Sequence, residues 1–298
     1  MGIIAVQFHT SKDSPLLIAS NREERFSRKS TPPRIQSGRP RVVCGIDLKA
    51  GGTWAGVNQH GMFVAVISAN KKILPVEPTS RGILCKEVLN CANADEAVDK
   101  AYQLLMTNVY DGCNLMCVDR HTGGAVYGGD EIKIERLFPG LHILTDNRLN
   151  DHTDPRQEFV RRLLTLQRLD TAVSFLAVAS STFSRKQDEN GKRGIVLEGS
   201  FGTVSSMLLS LTEKTQRSIM QYADGIPGDK PYEDISALLR QVLSTDRACR
   251  AAAAAKAAAK AAKEELAAKE ELAAKEAQKE NQDEQKENEN EQKHNKNS

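Results

Sequence analysis

The sequence predicts an α+β domain in which β-sheets are covered by helical layers, followed by a polar helical tail. Three observations carry that expectation. Short apolar runs rich in Val and Ile, separated by turn residues, dominate the first part of the chain. Helix-period segments then alternate with further strand-like runs, an order that suits sheets with helices packed on their faces. From residue 251 the composition narrows to mostly Ala, Lys, Glu, Gln and Asn, with Leu266 and Leu272 the only apolar side chains larger than Ala. The globular part is therefore residues 1–246, a size that one domain can fill.

Ile3 to Phe8 and Leu16 to Ser20 read as strands flanking the turn-rich Ser11-Lys12-Asp13-Ser14-Pro15, and so as a hairpin. Thr31-Pro32-Pro33 opens a loop, because tandem proline removes backbone donors and fixes φ. Val42 to Ile46, Thr53 to Val57 and Phe63 to Ile67 are three more strands, the last two joined by a turn at Asn58-Gln59-His60-Gly61. Ser80 precedes a helix with Ile83, Leu84, Val88 and Leu89 on one face. Asn93 caps a second helix, with Asp95 and Glu96 well placed in its first turn. Strand character returns at Leu115 to Asp119, Gly124 to Tyr127, Lys133 to Leu137 and His142 to Leu144. Asp154-Pro155 starts a long helix, and Thr171 to Ala179 extends or follows it. Gly194 to Glu198, Gly202 to Leu211 and Arg217 to Gln221 are the final strands, and Pro231 to Val242 closes the domain as a helix.

The tail is a separate object. Residues 247–280 read as a solvated charged helix, with Glu265–Lys269 and Glu271–Lys275 spaced for i,i+4 pairing. Lys263–Ala268 recurs as Lys269–Ala274, a period that sets Leu266 and Leu272 about 120° apart and leaves no coiled-coil seam. Residues 281–298 read as a disordered polar tail. Deleting 251–298 is expected to lower the thermal midpoint by less than about 5 °C, because the segment has little to bury. A larger drop in a circular-dichroism melt would show that it packs on the domain.

The formal net charge of +2 does not suit a nucleic-acid surface, and no nucleic-acid partner is expected. The basic stretch Arg22 to Arg41 is interrupted by Pro, Ser and Glu and reads as a solvated loop. No apolar run approaches the ~20 residues of a membrane helix, so no integral span is expected. Met1-Gly2 could open a myristoylation signal, but Val6 occupies the place where that signal wants Ser or Thr. Six cysteines without a signal peptide, mostly among apolar neighbours, suit free buried thiols and a cytoplasmic location. Cys113 and Cys117 have no nearby Cys/His pair to complete a zinc site, and the histidines show no i,i+4 pair; no metal and no cofactor are expected.

Several short segments, in order, carry a further signal. They are Asn21-Arg22-Glu23-Glu24, Gly51-Gly52-Thr53-Trp54, Ser80-Arg81-Gly82, Leu149-Asn150-Asp151, Phe201-Gly202-Thr203-Val204-Ser205-Ser206 and Tyr222-Ala223-Asp224-Gly225. Together they resemble the NRDE family, also called the transport and Golgi organization family, from Met1 to about Asp246. The resemblance implies an αββα sandwich like that of N-terminal-nucleophile (Ntn) hydrolases. It also implies links to secretion, Golgi organization and the handling of haem or acyl-lipid metabolites. The departures fall where chemistry would be. Gly2 stands where the family usually carries cysteine, Glu23 where it has aspartate, and Ile67-Ser68 where it often has Thr-Asn.

An Ntn hydrolase attacks with the side chain of its first residue while the freed α-amine acts as base. Gly2 marks that nucleophile position without a side chain, which predicts a scaffold that binds a small molecule without hydrolysing it. Arg22 is the leading site residue, as a carboxylate or phosphate clamp or as the partner of Glu23 or Glu24. Asn21 could donate to an oxyanion or cap the turn after its strand. Glu24, Ser68 and Trp54, the only tryptophan, complete the expected ligand-binding set, with Trp54 read as pocket wall or core. Two rivals stand beside this reading. One is an Ntn-type amidase using an altered nucleophile such as Cys44, and the other is an interaction protein working through its tail helix. Ligand identity and oligomeric state are open.

Overall fold

The computed structural model describes residues 2–72, 76–190 and 193–246; the expectations for 247–280 and 281–298, and Cys249, lie outside them. Two antiparallel sheets form the centre. The first runs in the order β10 (Gly140–Leu144), β1 (Gly2–Phe8), β2 (Leu16–Arg25), β11 (Phe201–Leu211), β12 (Ile219–Ala223), β13 (Glu233–Asp234). The second runs β3 (Arg34–Gln36), β4 (Val42–Cys44), β5 (Ala55–Asn58), β6 (Phe63–Ser68), β7 (Cys113–Val118), β8 (Gly123–Gly128), β9 (Ile132–Arg136).

Side-chain alternation along each strand decides what the sheets face. On β1 and β2, Ile4, Val6, Phe8, Leu16 and Ile18 join Val57, Phe63, Ala65 and Met116 of the second sheet in one buried cluster. The alternate residues Ile3, Ala5, Leu17 and Ala19 pack with Phe159 of α3 (Pro155–Thr165) and with Phe175 and Phe183 of α4 (Ala172–Phe183). Behind the second sheet, Val64, Leu115 and Cys117 pack with Leu84 and Val88 of α1 (Arg81–Val88) and Val98 and Ala101 of α2 (Ala94–Thr107). Three cores thus separate four layers, and the order is αββα. Each large side chain fully buried in them contributes about 1.5–3 kcal/mol.

Helix starts follow the expected chemistry. Ser80 and Asn93 cap α1 and α2, Asp154 caps α3 ahead of Pro155, and Thr171 forms a capping box with Ser174 at α4. Four boundary expectations are corrected. Strand β2 continues through Arg25, because Asn21 and Arg22 pair with both β1 and β11 and Glu23 to Arg25 pair with β11. The stretch read as a basic loop contains β3, which pairs with β4. Residues 194–198 form no strand and make only an isolated bridge from Val196 to Lys186. The closing helix spans residues 236–246, after β13, with Leu239 and Val242 in the inter-sheet core.

Candidate functional site

The site is assembled where the two sheets meet at the Gly2 end of β1. Gly2 pairs with Arg22 across the hairpin, and Arg22 pairs with Ser205 of β11 beside a bulge between Thr203 and Ser205. By alternation, Gly2, Ser20, Arg22 and Glu24 belong to the inter-sheet face, whereas Asn21 and Glu23 belong to the helix face. That parity separates the Asn21-to-Glu24 motif into two jobs.

The first job faces the second sheet. The Arg22 guanidinium lies over the Trp54 ring, 4.0 Å from its centroid, and Nη1 donates to Ser30 Oγ at 2.7 Å. Arg22 forms no salt bridge with Glu23 or Glu24. Burial lowers its pKa against the opposing fields of Glu24, Tyr222 and Asp47, and arginine remains cationic in any case. Buried Ser205 and Tyr222 lie beside it, and burial, opposed by the Ser205 hydroxyl, pushes the Tyr222 hydroxyl up to about 12.

Trp54 is fixed by close backbone approaches, which explains the Gly-Gly-Thr-Trp block. A Cβ on Gly45 would lie 2.3 Å from the Trp54 ring, and one on Gly52 would lie 2.2 Å from the Gly82 carbonyl carbon at the start of α1. Thr53 N donates to Gly82 O at 2.9 Å, and Thr53 Oγ1 to Ala55 O at 3.0 Å. Alanine at Gly52 is therefore expected to shift Trp54 and to destabilise the domain by about 1–3 kcal/mol, read as a lower thermal midpoint with altered tryptophan emission.

Arg22 and Trp54 together divide two spaces. On the inner side is a hollow of about 30 Å³ at Gly2, bounded by Ser20, Ala65 and Ile67. A Cβ added at Gly2 would lie 3.1 Å from Asn21 O and 3.4 Å from Ile67 Cγ1. On the outer side is a cleft of about 290 Å³ that includes Glu24, Ser68, Lys49 and Arg81. Its other charges are largely matched. Arg28 holds Asp47 through two bonds of 3.1 and 2.7 Å and reaches Glu24 at 3.5 Å, while Arg81 donates to Gly112 O at 3.2 Å. Burial pushes the Asp47 carboxyl up, but Arg28 and the Lys49 and Ala50 amides outweigh it and hold it below its ordinary value.

The second job faces the helices. Asn21 Nδ2 donates to Phe183 O at 3.0 Å, so its side chain secures α4; it lies inside a strand and caps no turn. Only its carbonyl borders the Gly2 position. Glu23, with a fully buried side chain, is held by two hydrogen bonds from Arg156 of α3. Burial raises the Glu23 pKa and Arg156 opposes the shift. Sequence reasoning singles out none of Arg156, Ser205 and Tyr222; the last two lie within quoted motifs, but no local pattern marks Arg156.

Cys44 belongs to the core behind the second sheet, with Val42, while Val43 faces the inter-sheet space. Burial pushes its thiol up to about 11. A nucleophile there would be in the wrong layer and in the wrong ionic state at neutral pH. A separate opening of about 700 Å³ at Asn114 and Tyr127 has its central groups committed: Tyr127 OH donates to Glu135 at 2.7 Å, and Asn114 Nδ2 bonds the Thr145 and Asn147 carbonyls. Among the described residues, no three His, Cys, Asp or Glu side chains are placed to hold a metal, and no helix is long and apolar enough to cross a membrane.

Comparison with known proteins identifies the family. A family model described as Transport and Golgi organisation 2 matches residues 1–220. A human transport and Golgi organization protein 2 homolog is 27% identical over 110 residues, which is 36% of this chain and 40% of that relative. Solved structures similar in fold include penicillin V acylase from Agrobacterium tumefaciens (13% identity, TM-score 0.45, covering 80% of this chain and 87% of that one). A mutant conjugated bile acid hydrolase from Clostridium perfringens gives 13% identity and a TM-score of 0.47, over 80% of this chain and 93% of that one. A Caenorhabditis elegans N-acylethanolamine-hydrolyzing acid amidase ortholog gives 14% and 0.47, over 70% and 92%. With its family model matched along well over half its length, the chain belongs to the Transport and Golgi organisation 2 family.

Proposed function

We propose that this chain is a non-hydrolytic binding member of its family, which takes a small molecule with an anionic head and an apolar body. The carrying observation is the position of Arg22. It is stacked on Trp54 between the Gly2 hollow and the cleft, with a single side-chain hydrogen bond to Ser30. Its remaining donors suit a bidentate carboxylate clamp, and Trp54 and Val66 offer apolar wall beside it. Gly2 supplies no side-chain nucleophile, and loss of such a group ordinarily costs several orders of magnitude in rate. The proposal extends to a role of this binding in the transport and Golgi organization of the family's name, and to a cytoplasmic location.

Trp54, as the only tryptophan, makes the test direct. Titration with octanoate is expected to change its emission saturably. Arg22→Ala should weaken binding by roughly ten- to a hundredfold, the effect of losing a hydrogen bond to a charged group. Thioester and amide probes should leave no adduct by intact mass. Unaltered affinity in Arg22→Ala removes the clamp, and a covalent adduct mapped to any cysteine restores the hydrolase reading.

A further inference from the structure

Beside the cleft, two loops form a basic, apolar-tipped rim that the binding reading does not use. Residues 25–30 and 47–51 are tied together by the paired Arg28 and Asp47 side chains, by Leu48 N to Lys29 O at 3.1 Å, and by the Ser30–Asp47 bridge. Phe26 N is further anchored to Ser200 O at 3.1 Å. This fixed frame holds two large apolar side chains in solvent, Phe26 at 40% exposure and Leu48 at 61%. Arg25, Lys29 and Lys49 are also exposed, and none has an ion-pair partner among the described residues. The nearby acids are engaged: Glu24 and Asp47 face Arg28, and Glu198 beyond Ser200 pairs with Lys186 at 2.9 Å.

We propose that this rim docks the protein on an anionic lipid bilayer. Unpaired cations beside protruding apolar side chains match the two layers of such a surface: the cations meet anionic headgroups while Phe26 and Leu48 enter the acyl boundary. An acidic protein would satisfy the cations but offers no general reason for two apolar tips held in water. The rim borders the cleft, since Lys49 and Ala50 belong to both, so docking brings the cleft mouth to the bilayer.

The test is co-flotation of the full chain with phosphatidylcholine vesicles, with and without phosphatidylserine. Binding is expected only to vesicles containing phosphatidylserine, and it should weaken as salt shortens the screening length. The double variant Arg25→Ser, Lys29→Ser, which leaves the cleft lining intact, should lose affinity by about tenfold or more, from about 1 kcal/mol per cation near such a surface. The double variant Phe26→Ser, Leu48→Ser should also lose binding while keeping the cations. All four positions are exposed and none lines the cleft, so unaltered melts and an unaltered Trp54 titration will show that fold and cleft persist. Vesicle binding retained by both variants would assign it elsewhere in the chain and overturn the proposal. No binding to phosphatidylserine vesicles, or retention only on an acidic polypeptide resin, overturns it equally.

Discussion

Gly2→Cys is expected to create the most reactive thiol in the protein, by on the order of a hundredfold over the described natural cysteines. The contrast comes from two environments. Cys44 and Cys91 are pushed up to about 11 and Cys113 to about 12, in each case first by burial. At mildly basic pH they hold about a thousandth or less of thiolate, against roughly a quarter for an ordinary thiol near 8.5. A thiol at position 2 would sit in the hollow beside Arg22, and a neighbouring guanidinium favours thiolate further. The space is tight but passable: Ile67 Cγ1 at 3.4 Å is close to an ordinary contact, and the Asn21 carbonyl at 3.1 Å must give by a few tenths of an ångström. Timed alkylation with peptide mapping reads the outcome. Equal labelling at position 2 and at the natural cysteines would mean that the hollow is closed to reagent and that Arg22 exerts no field there.

Much of the layer order was legible because period-two and helical patterns survive in the cores. The Ile3–Phe8 and Leu16–Ser20 hairpin, the Ser80 and Asn93 caps and Asp154-Pro155 all stand where local chemistry puts them. Errors arose where tertiary partners overrode local pattern. Polar residues 21–25 stay extended because β11 pairs along them and β1 pairs with the first two, and β3 forms within a Pro-interrupted basic run because β4 accepts it. Gly194 to Glu198 reads as strand yet lacks a full partner. The site shows the same division. Arg22 and Trp54 could be singled out by residue type, but their stacking depends on Gly45 and Gly52 admitting close neighbours. Glu23 read as a possible partner of Arg22, yet alternation turns it to the opposite face, towards a guanidinium 133 positions away.

That distant partner carries the largest stability effect expected here. Arg156→Met should lower stability by about 3–5 kcal/mol, the usual cost of leaving one member of a buried ion pair alone, or roughly 10 °C in midpoint for a domain of this size. The Glu23 side chain is fully buried and the Arg156 side chain 11% exposed, so water cannot readily replace the lost partner. The pH dependence fixes the cause. Burial already raises the Glu23 pKa while Arg156 opposes it, so removing Arg156 raises it further. For an acid whose folded pKa is raised, the folded state binds more protons between the unfolded and folded values, and stability falls as pH rises through that window. The deficit of Arg156→Met should therefore be greatest at neutral pH and shrink as pH falls towards about 4.3, the unperturbed glutamate value. A deficit independent of pH would attribute the loss to packing of the arginine stem instead. The double variant Glu23→Leu, Arg156→Met should recover most of the stability, because it removes both buried charges together. If that variant also moves the Trp54 emission, the ion pair on the helix face does more than hold β2 to α3: it sets the position of Arg22, the next residue along the same strand.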